Sequence, residues 1–362
     1  MKTRFLRRAL AFGLAVLLLL PALIGCEKEK YPMRSSTAKE SMTMLTLGEE
    51  AVPFEVLRAF FAAAAHAAPG YGEDYFEGEE GSARFAACLD AALSRIADIY
   101  ALFAMAKEAG IDPYGKEISQ AVRDAVTVAV DGEKDQNGAI IGGFAGDYNA
   151  YLEYLRKNFH MNDSVCRLML RYDEAEKKLI ARYRKQNSVT DAELAAFFEG
   201  ENCLHIEWLH QPAEQGVASR ALLETAKEKL IASGIDGSNL PDVNILASYS
   251  KDVRHRSQKV DNTGFYISPH SLDRKYAAVT QAAFSLPIGG LSEVIEANGG
   301  YFLLYRMEKK AGDLSARAEE LKSLYLSDRF YADLRIRSAQ LLTLADYTDA
   351  YRALTAKELL ED

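Results

Sequence analysis

The sequence has few of the residues that build metal centres and disulfide frameworks. Its 362 residues include 4 cysteines and 6 histidines. No pair of these residues has the C-x₂-C or H-x₃-H spacing that is typical of a zinc site. Cys26 ends an N-terminal apolar segment, and three widely spaced cysteines remain: Cys88, Cys166 and Cys203. Three cysteines do not imply a disulfide framework, although one pair of them could form a single disulfide bond. We therefore expect no metal ion and no cofactor.

The chain also lacks a basic surplus and a second long apolar run. Lys and Arg number 43 against 52 Asp and Glu, which makes the formal net charge −9. This balance argues against nucleic acid as a partner and against binding driven by anionic lipid headgroups. Beyond the N-terminal segment, no apolar run is long enough to span a bilayer. With 49% hydrophobic residues, the remainder is large enough to bury one or two cores.

One stretch has the oxygen spacing of a calcium loop but lacks the last ligand. Glu133, Asp135 and Asn137 alternate ahead of Gly138, as in such a loop. Phe144 occupies the position at which the loop requires a bidentate glutamate. The pattern therefore predicts a flexible loop without a metal.

The first 26 residues have the pattern of a targeting segment. Four basic residues precede the apolar run 9–22, and Leu23-Ile24-Gly25-Cys26 follows it. This tetrapeptide resembles the lipobox of bacterial lipoproteins, which implies cleavage before Cys26 and diacylglyceryl attachment to its thiol. Removal of the segment changes the net charge from −9 to −13. We expect a lipid-anchored protein on the extracytoplasmic face of the cell membrane; an ordinary secretory signal or an N-terminal membrane helix stays open.

The next 174 residues, 27–200, are predicted to form a tether and a helical module. Residues 27–41 are charged and non-periodic, which is typical of a tether. A strand is predicted over 42–47, and helical periodicity follows Pro53 and continues in four further segments: 83–109, 115–130, 148–159 and 163–185. Thr190 and Glu193 have the spacing of a capping box, so a short helix is predicted to begin there and to lead to a boundary near 200.

Residues 201–310 carry the pattern of a second domain. In Cys203–Leu209 the residues alternate, so Leu204, Ile206 and Trp208 share one face of a predicted strand and His205 and Glu207 share the other. A helix is predicted over 217–232. The stretch 282–306 then reads as a helix end, a Pro-Gly turn, a strand, an Asn298-Gly299 hairpin and a return strand. This order resembles that of a parvulin-type peptidyl-prolyl isomerase domain.

The parvulin resemblance implies a set of site residues. His205 matches the histidine of the first strand, and Asp252, in Tyr249-Ser250-Lys251-Asp252, matches the residue that faces the prolyl bond. Phe302 stands where the family has its second histidine, so it is the implied partner of His205. The implied substrate-binding residues are Tyr276, Val279, Phe284 and Phe302. The other histidines of this region, and the basic cluster 254–256, are predicted to lie at the surface or in loops: His210, His255 and His270.

The whole chain resembles the PrsA/SurA-type foldases. The resemblance implies an α+β protein in which residues 42–200 and the C-terminal helices 311–362 form one helical chaperone module. The parvulin-like domain, a small antiparallel-rich sheet flanked by helices, is inserted at 201–310. The resemblance implies that the partners of the protein are unfolded or nascent secreted polypeptides and that its activity is prolyl isomerisation. Phe302 leaves open a catalytically weak or inactive holdase, and a solute-binding lipoprotein of a transporter is a further alternative.

Overall fold

The computed structural model describes residues 29–68, 70–134, 140–212, 217–238, 241–255, 264–271, 276–297 and 300–361. Cys26 with its targeting segment, the middle of the calcium-like loop and the Asn298-Gly299 hairpin lie outside the described residues. The chain divides into two compact units. Unit 1 comprises Met1–Glu176 with Leu341–Asp362, and unit 2 comprises Lys177–Gln340. Within the described residues, no helix combines the length and apolarity needed to cross a membrane.

The first part of unit 1 is mainly helical. A hairpin of β1 (Thr43–Leu47) and β2 (Glu50–Pro53) leads into α1 (Phe54–His66), and the following elements are α2 (Gly81–Glu108), α3 (Lys116–Asp131), β3 (Glu133–Lys134), β4 (Ile140–Ile141), α4 (Tyr148–Phe159) and α5 (Asp163–Gln186). Pro53 sets the entry to α1 with φ −76°, an angle that proline adopts without strain. Leu57 and Phe61, one turn apart, are fully buried, as the helical periodicity predicts.

Unit 2 surrounds one antiparallel sheet. In chain order it contains α6 (Asp191–Glu199), β5 (Leu204–Pro212), α7 (Val217–Ala232), α8 (Val243–Tyr249), a 3₁₀ turn (Val253–His255), β6 (Phe265–Ile267), α9 (Ala277–Ser285), β7 (Ile295–Ala297), β8 (Gly300–Met307), α10 (Asp313–Ala316) and α11 (Ala318–Thr343). The strand order is β6-β5-β8-β7. The predicted capping box opens α6: the Glu193 amide donates to Thr190 Oγ1 at 3.2 Å, and the Thr190 amide donates to Glu193 Oε2 at 2.9 Å.

The chain returns to unit 1 at its C-terminal end. The last elements are β9 (Ala345–Tyr347), α12 (Asp349–Arg352) and α13 (Ala356–Leu360). β9 pairs with β1, with Leu45 opposite Tyr347, and completes a three-stranded antiparallel sheet with β2. A strand at 345–347 was not predicted, because it exists only through pairing with a segment about 300 residues away.

The sheet of unit 2 is buried on both faces. Leu204, Ile206 and Trp208 pack with α9 on one face, and Leu209 packs with α7 and α8 on the other. The predicted alternation of β5 is therefore confirmed. The α+β fold class is confirmed as well: unit 1 is mainly helical and includes the sheet of β1, β2 and β9, and unit 2 combines the four-stranded sheet with helices.

Unit 2 is wider than the segment 201–310 that was predicted as a domain. Helix α6 and the first turns of α11 pack on the sheet end through a cluster that includes Leu194, Phe198, Tyr266 and Leu321. The strand predicted at 292–296 is also shorter than expected. Ser292 binds Leu304 through both its amide (2.9 Å) and its hydroxyl (2.9 Å), so regular pairing with β8 begins only at Ile295.

Candidate functional site

The register of β5 on β8 determines which histidine faces Phe302. The pairing runs from Pro212 opposite Gly300 to His205 opposite Met307, which places His210 opposite Phe302. The two rings stack with centroids 4.7 Å apart and planes 30° apart. The implied partnership of His205 with Phe302 is therefore wrong. The physical reason is the register of the two strands: His205 pairs with Met307, five residues along β8 from Phe302, so the two side chains lie far apart and on opposite faces of the sheet.

His205 lies in the core at the other end of the sheet. Its side chain is 2% exposed, and its ring stacks on Tyr266 with centroids 4.6 Å apart. Nδ1 lies 2.8 Å from the Glu308 carbonyl oxygen, so this nitrogen carries the hydrogen and donates it. The Tyr266 hydroxyl donates in turn to Asp313 at 2.6 Å. These contacts assign His205 a structural position between β6 and the C-terminal helices of the unit.

Five rings form an aromatic cluster around Phe302: Trp208, His210, Phe265, Tyr276 and Phe302. Phe302 is 3% exposed and contacts Trp208 and Tyr276 edge-on at 5.4 Å and 5.8 Å. Trp208 also meets Phe265 at 4.7 Å. Trp208, His210 and Tyr276 are half-buried, so each presents part of its ring to the surface. The cluster combines a buried aromatic floor with a partly exposed rim.

Asp252 is bound on both oxygens and does not project freely. Its Oδ2 accepts from the Trp208 indole nitrogen at 2.7 Å and from the Arg254 guanidinium at 2.9 Å. Its Oδ1 accepts from the Arg254 amide at 2.9 Å. Burial opposes ionisation, but the hydrogen bonds from Arg254 and Trp208 outweigh it and lower the pKa of Asp252 to about 2. Asp252 is thus a carboxylate that holds the indole in place.

A second buried carboxylate, Glu207, lies beneath this arrangement. It is 1% exposed, and its Oε1 accepts from the Trp208 amide at 2.9 Å and pairs with Arg254 at 3.0 Å. His255 Nε2 lies 3.3 Å from the same oxygen, but without the alignment of a hydrogen bond, and neither ring nitrogen has such a partner among the described residues. His255 was predicted to lie at the surface or in a loop; it lies in the 3₁₀ turn Val253–His255 and is 3% exposed, so it is not at the surface. Arg254 pairs with both carboxylates and so compensates the buried charge of Glu207.

The His210 ring stands over the backbone of the neighbouring strand. A Cβ at Gly300 would lie 2.5 Å from His210 Nε2, so only glycine leaves room for the ring. Burial lowers the pKa of His210, against the opposing effect of the Asp252 charge. The ring is therefore neutral at pH 7, with one nitrogen able to donate and the other able to accept. The sequence contained a signal for it, since His210 continues the alternation of Trp208 and so shares its face.

The remaining predicted residues take two kinds of position. Val279 is fully buried on the sheet-facing side of α9, where it serves the core. Phe284 is half-buried and packs against the same core. Only Tyr276 and Phe302 of the predicted substrate-binding residues meet in the aromatic cluster, next to Asp252 through Trp208.

This chain is similar to several solved protein structures. No protein-family model and no curated protein sequence matches it. The foldase PrsA of Streptococcus pneumoniae is a similar solved structure, with 14% identity, 86% of this chain and 97% of that chain covered, and a TM-score of 0.32. PrsA of Bacillus subtilis has 16% identity to this chain; the match covers 78% of this chain and 92% of that chain, with a TM-score of 0.26. The foldase PrsA of Lactococcus lactis has 15% identity; the match covers 89% of this chain and 100% of that chain, with a TM-score of 0.26. These whole-chain superpositions are loose, so the chemistry of the site is derived from this chain alone. These three solved structures are PrsA foldases.

Proposed function

We propose that the chain is an extracytoplasmic foldase, anchored at the membrane through lipidated Cys26. Unit 1 holds unfolded secreted polypeptides, and unit 2 binds their X-Pro segments on the aromatic cluster. The observation that carries the proposal is the packing of His210 and Trp208 on Phe302 at one edge of a parvulin-like sheet. Aromatic rings offer flat apolar surfaces that suit a proline ring.

Prolyl isomerisation requires little covalent chemistry. The barrier of about 20 kcal/mol arises because amide resonance is lost in the twisted state. A site accelerates rotation when it binds the twisted amide better than the planar one. A neutral His210 can hydrogen-bond either the carbonyl oxygen or the nitrogen of that amide. The Asp252–Trp208 hydrogen bond holds one wall of the site in a fixed orientation.

Phe302 decides whether the site only binds prolyl segments or also accelerates their isomerisation. A phenylalanine fills the position of a second histidine, so the site keeps its apolar floor and loses one hydrogen-bonding partner. We propose that prolyl binding is retained and that isomerisation is slow. A holdase without isomerase activity is the second candidate, and the complete burial of the Phe302 ring favours it.

Binding can be measured through the protein's own fluorescence. The sequence contains 1 tryptophan, Trp208, and this residue belongs to the cluster. Titration of the full chain with an Ala-Ala-Pro-Phe peptide should change the Trp208 emission in a saturable way. The matched Ala-Ala-Ala-Phe peptide should have a markedly weaker effect. Equal responses to both peptides would remove the prolyl-binding part of the proposal.

Catalysis is a separate measurement. Exchange spectroscopy on the same peptide gives the cis/trans rate without a coupling protease. We expect a small acceleration by the wild type, an increase in Phe302→His, and a return to the uncatalysed rate in His210→Asn. His205→Asn serves as the control, because it should lower stability without changing the rate per folded molecule. If Phe302→His and wild type both leave the rate unchanged while the prolyl peptide still binds, the holdase is the correct alternative.

A further inference from the structure

The segment predicted as a free tether is in contact with unit 1 along much of its length. We call residues 29–37 the N-terminal strap. Its contacts reach helices α3, α4 and α5, which are separated from it by about 100 or more residues in sequence. A tether of charged, non-periodic residues has no intrinsic structure, so these contacts alone determine its path.

The start of the strap is held by a buried arginine. Arg167 of α5 is 6% exposed. Its guanidinium donates to the Glu29 carboxylate at 2.7 Å and to the Tyr31 carbonyl oxygen at 2.5 Å. The same group donates to Asp163 at 3.0 Å and to the Tyr148 hydroxyl at 3.2 Å, which fixes its position within the unit. Hydrogen bonds of this charge-assisted kind are the strong ones in proteins.

Further contacts follow along the strap. The Tyr31 hydroxyl donates to Asp131 at 2.6 Å, and the Tyr31 ring lies 5.1 Å from that of Tyr148. Lys30 pairs with Asp131 at 2.6 Å. Further along, the Ser36 hydroxyl donates at 2.6 Å to Glu55, a carboxylate of α1 that is 6% exposed. The strap is thus secured at its beginning and near its end.

The docking changes how far unit 1 can stand from a lipid on Cys26. Residues 27–41 as a free coil would separate their ends by about 20 Å on average and by about 50 Å when extended. With Glu29 bound to Arg167, only the chain between Cys26 and Glu29 remains as a spacer. Its maximum reach is about 10 Å. A docked strap therefore brings the surface around Arg167 to the level of the lipid headgroups.

The charge of this surface agrees with such a position. A cavity of about 210 Å³ beside the strap is lined by three arginines, Arg34, Arg58 and Arg156. Its two carboxylates, Glu40 and Asp163, accept hydrogen bonds from Thr37 and Arg167. Three arginines against two carboxylates leave this lining with a small positive excess, which is compatible with the headgroup level. The lipid on Cys26 and the short spacer, not charge attraction, place the face at the bilayer.

We infer that the N-terminal strap stays bound to unit 1 and holds one face of that unit against the lipid bilayer. The face is the one that surrounds Arg167 and the arginine-lined cavity. The inference rests on the lipid anchoring of Cys26 in the proposed function. It assigns the membrane as the partner of this surface and excludes a long flexible stand-off.

The test uses the lipidated full chain on vesicles of phosphatidylcholine with phosphatidylglycerol. Arg34 is the first arginine after Cys26, so an arginine-specific protease releases the protein by cutting inside the strap. Two variants should loosen the strap: the double variant Glu29→Gln/Tyr31→Phe, which leaves the core unchanged, and Arg167→Met. The protease should release the wild type at least about tenfold more slowly than either variant. Arg123→Met is the control, because Arg123 bonds Gln120 of its own helix; it should behave as wild type.

A second measurement reports the distance to the bilayer. In a Trp208→Phe background, Tyr154→Trp places the only tryptophan at an exposed position of α4. Energy transfer to a dansyl lipid should be strong with the intact strap and should fall in the Glu29→Gln/Tyr31→Phe variant. Equal release and equal transfer in all variants would overturn the inference. Absence of a lipid on Cys26, seen by mass spectrometry, would instead refute the anchoring on which it rests.

Discussion

Asp252→Asn tests the account of the site most directly. The substitution keeps the shape of the side chain and removes its charge. The Trp208 indole and Arg254 then lose a carboxylate that binds both of them. Arg254 retains Glu207 at 3.0 Å, so unit 2 should still fold.

The magnitude follows from the pKa of Asp252. Folding lowers it from 3.8 to about 2. The side chain is 13% exposed, so solvent screening reduces the effect little. A shift of this size corresponds to about 2 kcal/mol of stability at pH 7. Because the folded-state pKa is the lower one, the contribution is complete above about pH 5 and decreases to about 1 kcal/mol near pH 3.

The assay is urea unfolding of the full chain, followed by the fluorescence of Trp208. This tryptophan lies in unit 2 and beside the mutated residue, so the signal reports the unit concerned. We expect Asp252→Asn to lower the free energy of unfolding by about 2 kcal/mol at pH 7 and by about half of that at pH 3. Glu293→Gln, which removes a pair between an exposed carboxylate and Lys227, should change the free energy of unfolding far less than Asp252→Asn. An equal loss at both pH values would refute the assigned role of the Asp252 charge.

Three further predictions concern other parts of unit 2. The His210 resonance should titrate below pH 6.5 in an NMR experiment, because burial lowers the pKa of His210. In Asp252→Asn it should titrate lower still, because the Asp252 charge raises that pKa. Since the folded state then binds the proton less well than the unfolded state, the free energy of unfolding should fall as the pH decreases through the unfolded-state pKa near 6.5. A titration at or above 6.5 would contradict the buried position of the ring. Gly264→Ala should cost about 3 kcal/mol, since φ is +69° and the new Cβ would lie 2.7 Å from the Ile206 carbonyl oxygen; Gly78→Ala, with φ +74° and nothing within 4 Å, should cost about 1 kcal/mol in thermal unfolding. Thr190→Ala should lower the midpoint of the Trp208 transition by removing a cap of about 1 kcal/mol, whereas Thr355→Ala, at a second capping box in unit 1, should leave that transition unchanged.

Local signals predicted the helices well. Helices α4 and α7 have the predicted bounds, 148–159 and 217–232, because their periodicity and their ends are encoded within a few residues. The capping box at Thr190 is local in the same sense. β9 was missed for the opposite reason: its sequence, Ala345-Asp346-Tyr347, has no strand pattern, and only the edge of β1 makes it a strand.

The site was predicted in composition more than in geometry. Phe302 and Tyr276, two of the implied substrate-binding residues, are in ring contact, and the histidine beside Phe302 is His210. Register is a relation between two strands about 100 residues apart. The alternation of β5 places His205 and His210 on opposite faces, but it does not say which of them lies opposite Phe302. The burial of His255 was not predicted, because nothing in Arg254-His255-Arg256 indicates that Glu207 of β5 lies next to it.

His205 and His210 differ in what surrounds them, and this difference bears on function. The ring of His205 is enclosed by Tyr266 and bound to a backbone carbonyl, so no ligand can reach it without unfolding the sheet end. His210 lies at a half-exposed rim, over a glycine and against Phe302. A site that binds an apolar ring and hydrogen-bonds a rotating amide needs a polar group at an accessible apolar surface. Of the two histidines on β5, only His210 has that position, and Phe302 determines whether it acts alone.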